Sequence, residues 1–184
     1  MAEKVVLDRD DLRRTLVRIA HEIVEKNPGD DSVALVGIHT RGAVLGRRLH
    51  ALVGELTGSE VPFGDLDISF YRDDIATRGA DASPVVHASH LPFRLEDHTV
   101  VLVDDVLFTG RTVRAGIEAL FDYGRPARVQ LAVLADRGHR ELPIRPDYVG
   151  KNLPTARSER VNVCVEEIDG RDEVTISTVT EVPA

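Results

Sequence analysis

Residues 100–112 read VVLVDDVLFTGRT, and no other stretch of the chain carries as much chemistry. Four apolar residues rich in β-branched side chains predict a buried strand. Asp104 and Asp105 are expected where that strand stops. A short loop then leads through Thr109, Gly110, Arg111 and Thr112 into a helical pattern. The start of a helix offers free N–H groups and positive potential to a phosphate. Gly110 allows close backbone approach, and the threonines add hydroxyl donors. The paired carboxylates can accept hydrogen bonds from vicinal sugar hydroxyls, and they place negative charge where a cationic sugar transition state develops. The order of residue types therefore suits a sugar phosphate.

The surrounding pattern must position these groups. Helical spacing of Leu12, Leu16, Ile19, Ala20 and Ile23 predicts a helix over 8–26, with Asp8 and Asp11 as its cap. A strand is expected at 33–38, a tight loop at 39–42 and a second helix at 43–56. Residues 61–71 are expected to be extended, and 72–90 a long loop of the length that is usually functional or disordered. After the strand at 100 come a helix from about 112 to 123, a turn at 124–126 and a strand at 129–135. Residues 136–160 are expected to be irregular and polar, with late strands at 161–165 and 174–176. Strand–helix alternation argues for a mainly parallel three-layer α/β sheet. Ligands of such sheets lie beyond the carboxyl ends of the strands, where the Thr40 and Asp104 loops both fall.

The whole chain narrows the class. Its 184 residues and 42% hydrophobic content suit a single buried domain over residues 1–184. One cysteine, Cys164, excludes an internal disulfide, suits the cytoplasm and is expected to be a buried thiol in a strand. No apolar run is long enough to span a bilayer, so no membrane partner is expected. A net charge of −8 argues against indiscriminate nucleic-acid binding, so any such contact needs a local basic face. Residues 137–160 supply an excess: Arg137, Arg140, Arg145, Lys151, Arg157 and Arg160 against three acids. Arg14, Arg18 and His21 share one face of the first helix. From the residues alone this excess reads equally as an oligomer interface or a solvated face. The acidic pair could alternatively be a metal-binding phospho-acceptor or a plain turn, but neither explains the Thr-Gly-Arg-Thr run that follows. The histidines lack ligand spacing, so no protein-held metal site is expected.

Residues 100–112 resemble the phosphoribosyl-pyrophosphate (PRPP) signature of type I phosphoribosyltransferases. Together with the segments at 69–74, 111–115, 124–126, 130–134, 136–143 and 150–152 they resemble the PyrR family, bifunctional regulators of pyrimidine operons and uracil phosphoribosyltransferases. The similarity runs over about residues 7–176. It implies a three-layer type I phosphoribosyltransferase fold, with a small hood made by the N- and C-terminal segments and a flexible active-site loop at about 72–90. It implies conversion of uracil and PRPP to UMP and pyrophosphate, with Mg²⁺ bound through PRPP. On this resemblance Asp104, Asp105 and Arg41 are catalytic. Substrate would be held by Thr40 and Arg41 at the pyrophosphate, by Val106, Leu107, Phe108, Thr109, Gly110, Arg111 and Thr112 around the 5-phosphate, and by Arg137 and Val161 near the base. His139 is a further candidate at the base and Arg72 at the pyrophosphate. A cis or strained peptide is common in the family at the Thr40 loop. No general base is expected.

The resemblance also implies UMP-strengthened binding to a stem-loop in the leader mRNA of pyrimidine genes, as in transcription attenuation, by a homo-oligomer (dimer or tetramer). Matching positions are Arg18, His21, Arg140, Arg145 and Lys151. The chain departs from the family at Val17, where relatives place a threonine. Two alternatives stay open: an RNA-binding regulator with decayed catalysis, and a phosphoribosyltransferase without an RNA role.

Overall fold

The computed structural model describes residues 3–28, 32–73 and 88–178. Five strands form a parallel sheet in the order β3 (Phe63–Leu66), β2 (Val33–Ile38), β4 (Thr99–Leu107), β5 (Arg128–Asp136), β6 (Tyr148–Asn152). Side chains alternate across it, so each central strand feeds two cores. Val101, Val103, Ala132 and Leu134 pack with the apolar stripes of α1 (Arg9–Lys26) and α2 (Arg41–Thr57). Val100, Leu102, Leu131 and Val133 pack with α3 (Arg111–Phe121) and with Leu95 on the opposite face. Each fully buried leucine or isoleucine contributes roughly 1.5–3 kcal/mol, which makes the three-layer arrangement the stable way to hide these stripes.

Local signals set the ends of the elements. Asp8 caps α1 by accepting from Asp11 N–H at 2.8 Å, and the Asp11 carboxylate returns the bond, forming a capping box. At the other end Asn27 is buried and bonded to Ile23 O, Gln130 and Tyr148 Oη, which pins α1 to β5 and β6.

A second sheet is antiparallel, in the order β1 (Glu3–Leu7), β8 (Glu173–Thr178), β7 (Glu159–Cys164). Val161, Val163 and Val174 turn inward from it and join the α1/α2 core. A single turn of helix, α4 (Glu166–Asp169), links β7 to β8.

Several expectations change. β4 does not stop at Asp104. It pairs with β5 through Leu107 opposite Asp136, so both carboxylates lie inside the strand. Residues 61–71 are a strand only at Phe63–Leu66, because the Asp67 carboxylate accepts Ser69 N–H at 2.7 Å and turns the chain. Residues 136–160 are not wholly irregular, since they contain the edge strand β6. Gly150 there resembles a turn signal but serves close approach: a Cβ would sit 2.2 Å from Leu134 O. Cys164 is only half-buried. The long loop expected at 72–90 lies largely outside the described residues.

Candidate active site and basic face

The carboxyl ends of β2, β3, β4 and β5 meet at one edge of the parallel sheet. The loop after β2 crosses it with a cis His39–Thr40 peptide and enters α2 at Arg41. The glycines on either side of it, Gly37 in β2 and Gly42 in α2, are there for proximity. A Cβ on Gly37 would lie 2.4 Å from Ala43 Cα, and one on Gly42 would lie 2.6 Å from Val103 O and 3.3 Å from Asp104 Oδ1. Thr40 and Arg41 are thereby held against the Asp104 end of β4. Arg41 Nη2 donates to Asp169 Oδ1 at 2.8 Å, while its Nε is buried with no partner among the described residues. Arg48, further along α2, pairs with Glu167 and Asp172, so α2 and the α4 turn are clamped twice.

Asp104 is 5% exposed, and burial, followed by the neighbouring Asp105 carboxylate, pushes its pKa up well above the ordinary value. Asp105 N–H donates to Asp104 Oδ1 at 3.0 Å, and Asp105 Oδ1 accepts from Val106 N–H at 2.7 Å. Arg72 lies close enough to pull Asp104 in the opposite direction.

Beyond Leu107 the chain turns through Phe108, Thr109 and Gly110 into α3. Gly110 caps the helix with φ 95°, a conformation that costs glycine little. Val106–Val113, with Arg72 and Asp73, line a cavity of about 260 Å³ at this helix start. Arg111 pairs with Asp73 at 2.5 Å and with Glu141 at 2.9 Å. Thr109 O accepts from Glu141 and Leu142 N–H groups, so the segment after β5 is stitched to the turn.

Arg137 leaves the end of β5 and is 7% exposed. It donates to Thr155 Oγ1 and to the carbonyls of Ala156 and Glu159, and its Cζ lies over the Phe108 ring, 4.1 Å from the centroid. Val161 is buried two residues beyond Glu159, on β7. His139 meets the Phe108 ring edge-on at 6.0 Å and bonds Thr155 O. Thr40, Arg41, Asp104, Asp105 and Val106–Thr112 therefore gather at one edge, with Arg137 and Val161 at its β7 side. Asp73 reads from the sequence as plain surface charge, and Glu141 and Asp169 carry no sequence signal of a role. They lie between 30 and 128 residues from the arginines they bind, and no local motif marks such pairs.

The five basic candidates do not share one environment. His21, Arg145 and Lys151 are exposed. Arg18 pairs with Glu22 and donates to the carbonyls of Val149 and Gly150 at 3.1 and 2.5 Å. With Arg14 and Lys151 it lines an open groove of about 340 Å³ between α1 and β6. Arg140 points inward, donating to Ile144 O and Phe108 O and pairing with Asp136 at 2.5 Å.

Residues 7–167 match the phosphoribosyl transferase domain. A Roseiflexus protein named bifunctional protein PyrR is 59% identical over 170 residues, 92% of each chain. A Listeria welshimeri protein of the same name is 52% identical over 178 residues, covering 96% of this chain and 97% of its own. Among solved structures, the hypoxanthine phosphoribosyltransferase of Trypanosoma cruzi superposes with a TM-score of 0.71 at 19% identity, over 96% of this chain and 97% of that one, a likeness of fold. A purine phosphoribosyltransferase from Pyrococcus horikoshii is 28% identical with a TM-score of 0.59, over 79% of this chain and 85% of that one.

Proposed function

Since the chain belongs to the phosphoribosyl transferase domain family and, within it, to the PyrR proteins, we propose that it makes UMP and pyrophosphate from uracil and PRPP and uses UMP to control its binding to a leader mRNA stem-loop. The observation that carries the enzyme reading is the sheet edge itself, where the buried Asp104 and the half-buried Asp105 stand beside a cavity at the start of α3. Thr109–Thr112 would hold the 5-phosphate through helix-terminal N–H groups and hydroxyls. Asp104 and Asp105 would hold the ribose diol, with their charge facing the sugar as the bond to pyrophosphate breaks and C1 becomes cationic. Arg41, with an unpartnered Nε, would face the departing pyrophosphate. Arg137 and Phe108, stacked on one another, would form a wall for the base together with Val161. Fixed charges around the cation and exclusion of water would supply most of the acceleration.

No cluster of three or more metal-ligating side chains occurs among the described residues. Mg²⁺ would be carried in by pyrophosphate oxygens, with Asp105 or Asp104 as its protein contact and water filling the rest of its shell. When bound, it would offset the leaving group's charge.

The regulatory half rests on the PyrR relatives and on the groove between α1 and β6. Arg14, Arg18 and Lys151 there, against the single carboxylate of Asp11, offer cations to a phosphate backbone. UMP binding would raise RNA affinity through a coupling free energy between the two sites. A homo-oligomer, dimer or tetramer, working in the cytoplasm completes the proposal. No helix among the described residues is long and apolar enough to cross a membrane.

Two assays decide it. UMP should form from uracil and PRPP with Mg²⁺ present, and no turnover would leave a regulator without catalysis. Filter binding to the leader RNA should tighten with UMP and weaken with salt, and absence of both effects would leave an enzyme alone.

A further inference from the structure

Asp73 has no role in the chemistry above, yet its carboxylate stands in the wall of the cavity proposed for the 5-phosphate. Two guanidinium groups hold it there, Arg111 at 2.5 Å and Arg114 at 3.5 Å. Arg111 belongs to the Thr-Gly-Arg-Thr run, so the cation at the mouth of the phosphate cradle already carries an anion from the protein. The preceding residue has the reverse arrangement, with Arg72 acting on the buried carboxylate of Asp104. This Arg-Asp dipeptide thus sets a cation toward the site's acids and an anion toward its arginines. A phosphate bearing close to two negative charges near neutral pH would meet Asp73 as a like charge inside a small cavity.

We infer that Asp73 stands in for the 5-phosphate in the ligand-free protein and sets how strongly phosphorylated sugars are favoured over unphosphorylated ones. The inference rests on the proposed function, because it takes the α3 start to be the phosphate cradle. The carboxylate bridges Arg111 and Arg114, which Glu141 and Glu118 hold from their other sides, until a ligand with more negative charge displaces it. Uridine brings no such charge and cannot displace it in this way. The ion pairs are partly exposed, with side chains 36–47% accessible, so the effect on affinity is small.

The test is calorimetric titration of the full-length protein with UMP, ribose 5-phosphate and uridine, using wild type, Asp73→Asn and Asp73→Ala. A control, Glu118→Gln, removes the same charge from Arg114 but at a residue outside the cavity wall. Both Asp73 variants should bind UMP and ribose 5-phosphate roughly two- to five-fold tighter, the range expected for a partly exposed pair. KM for PRPP should fall in step, while uridine affinity and the Glu118→Gln protein stay as in wild type. Unchanged or weaker phosphate binding in the Asp73 variants overturns the inference alone. So does equal tightening in Glu118→Gln, which makes the effect one of general charge. If wild type binds neither UMP nor ribose 5-phosphate, the phosphate cradle itself is wrong and the inference falls with it.

Discussion

At the scale of single residues, the site holds charge where a stable fold would avoid it. Asp104 has its pKa raised by burial first and by Asp105 second. As pH rises through the interval between the ordinary value of 3.8 and the raised one, the unfolded chain has released a proton that the folded chain still holds. Stability therefore falls across that interval. Asp104→Asn should raise the melting temperature at pH 7, by about 2–4 °C for each kcal/mol recovered, and the gain should shrink as pH drops toward 4. The same variant should lose most turnover. The double variant Asp104→Asn, Asp105→Asn should abolish UMP formation while leaving salt-sensitive RNA retention on filters intact. Arg140 carries a different expectation from that of an exposed cation. Its bonds to Phe108 O and Ile144 O brace the turn before α3. Arg140→Ala should therefore reduce turnover as well as RNA binding, and a steady-state assay showing wild-type kcat and KM would contradict that bracing role.

At the scale of elements, the decisive contact is the loop after β2 against β4. Gly42→Ala places a methyl group 2.6 Å from Val103 O, where only backbone could yield. Overpacking of this kind costs about 1–3 kcal/mol, and it moves Arg41 relative to Asp104. Denaturant unfolding should show the loss, and KM for PRPP should rise. Asp8→Ala removes the capping box of α1 and should cost about 1 kcal/mol with no change in kinetics. The contrast between these two positions shows what was legible in the sequence. The α1 cap, the strand cores and the turn from Thr109 into α3 could be read locally, because each is defined by neighbours within a few residues, whereas the run of β4 on to Leu107 comes from its pairing with β5. β6 could not, because Gly150 and short length hide an edge strand whose identity comes from pairing with β5. β1 has no local signature either, since its partner β8 lies at the far end of the chain. The arginine partners Asp73, Glu141 and Asp169 were hidden for the same reason. The turn at Asp67 is local enough to read, as an Asx-type turn two residues before Ser69.

At the scale of the molecule, an acidic chain with one basic groove should bind RNA in a way that salt disrupts steeply. Each phosphate neutralised by Arg14, Arg18 or Lys151 adds close to one unit to the slope of log K against log salt. Lys151→Gln should lower that slope by about one and leave uracil turnover unchanged, as measured by filter retention across a salt series beside a UMP assay. The second sheet carries a consequence of another kind. β8 is the only sheet neighbour of β1 among the described residues, so the first described strand waits for the last. During synthesis on a ribosome the parallel sheet and its phosphate-facing edge can assemble once residue 152 has emerged. Leu7, which packs into the core from β1, has no settled place until residue 174 arrives opposite it. A polypeptide cut short before β8 would carry the older half of the site without a secured beginning, and quality-control proteases would meet it with both ends loose.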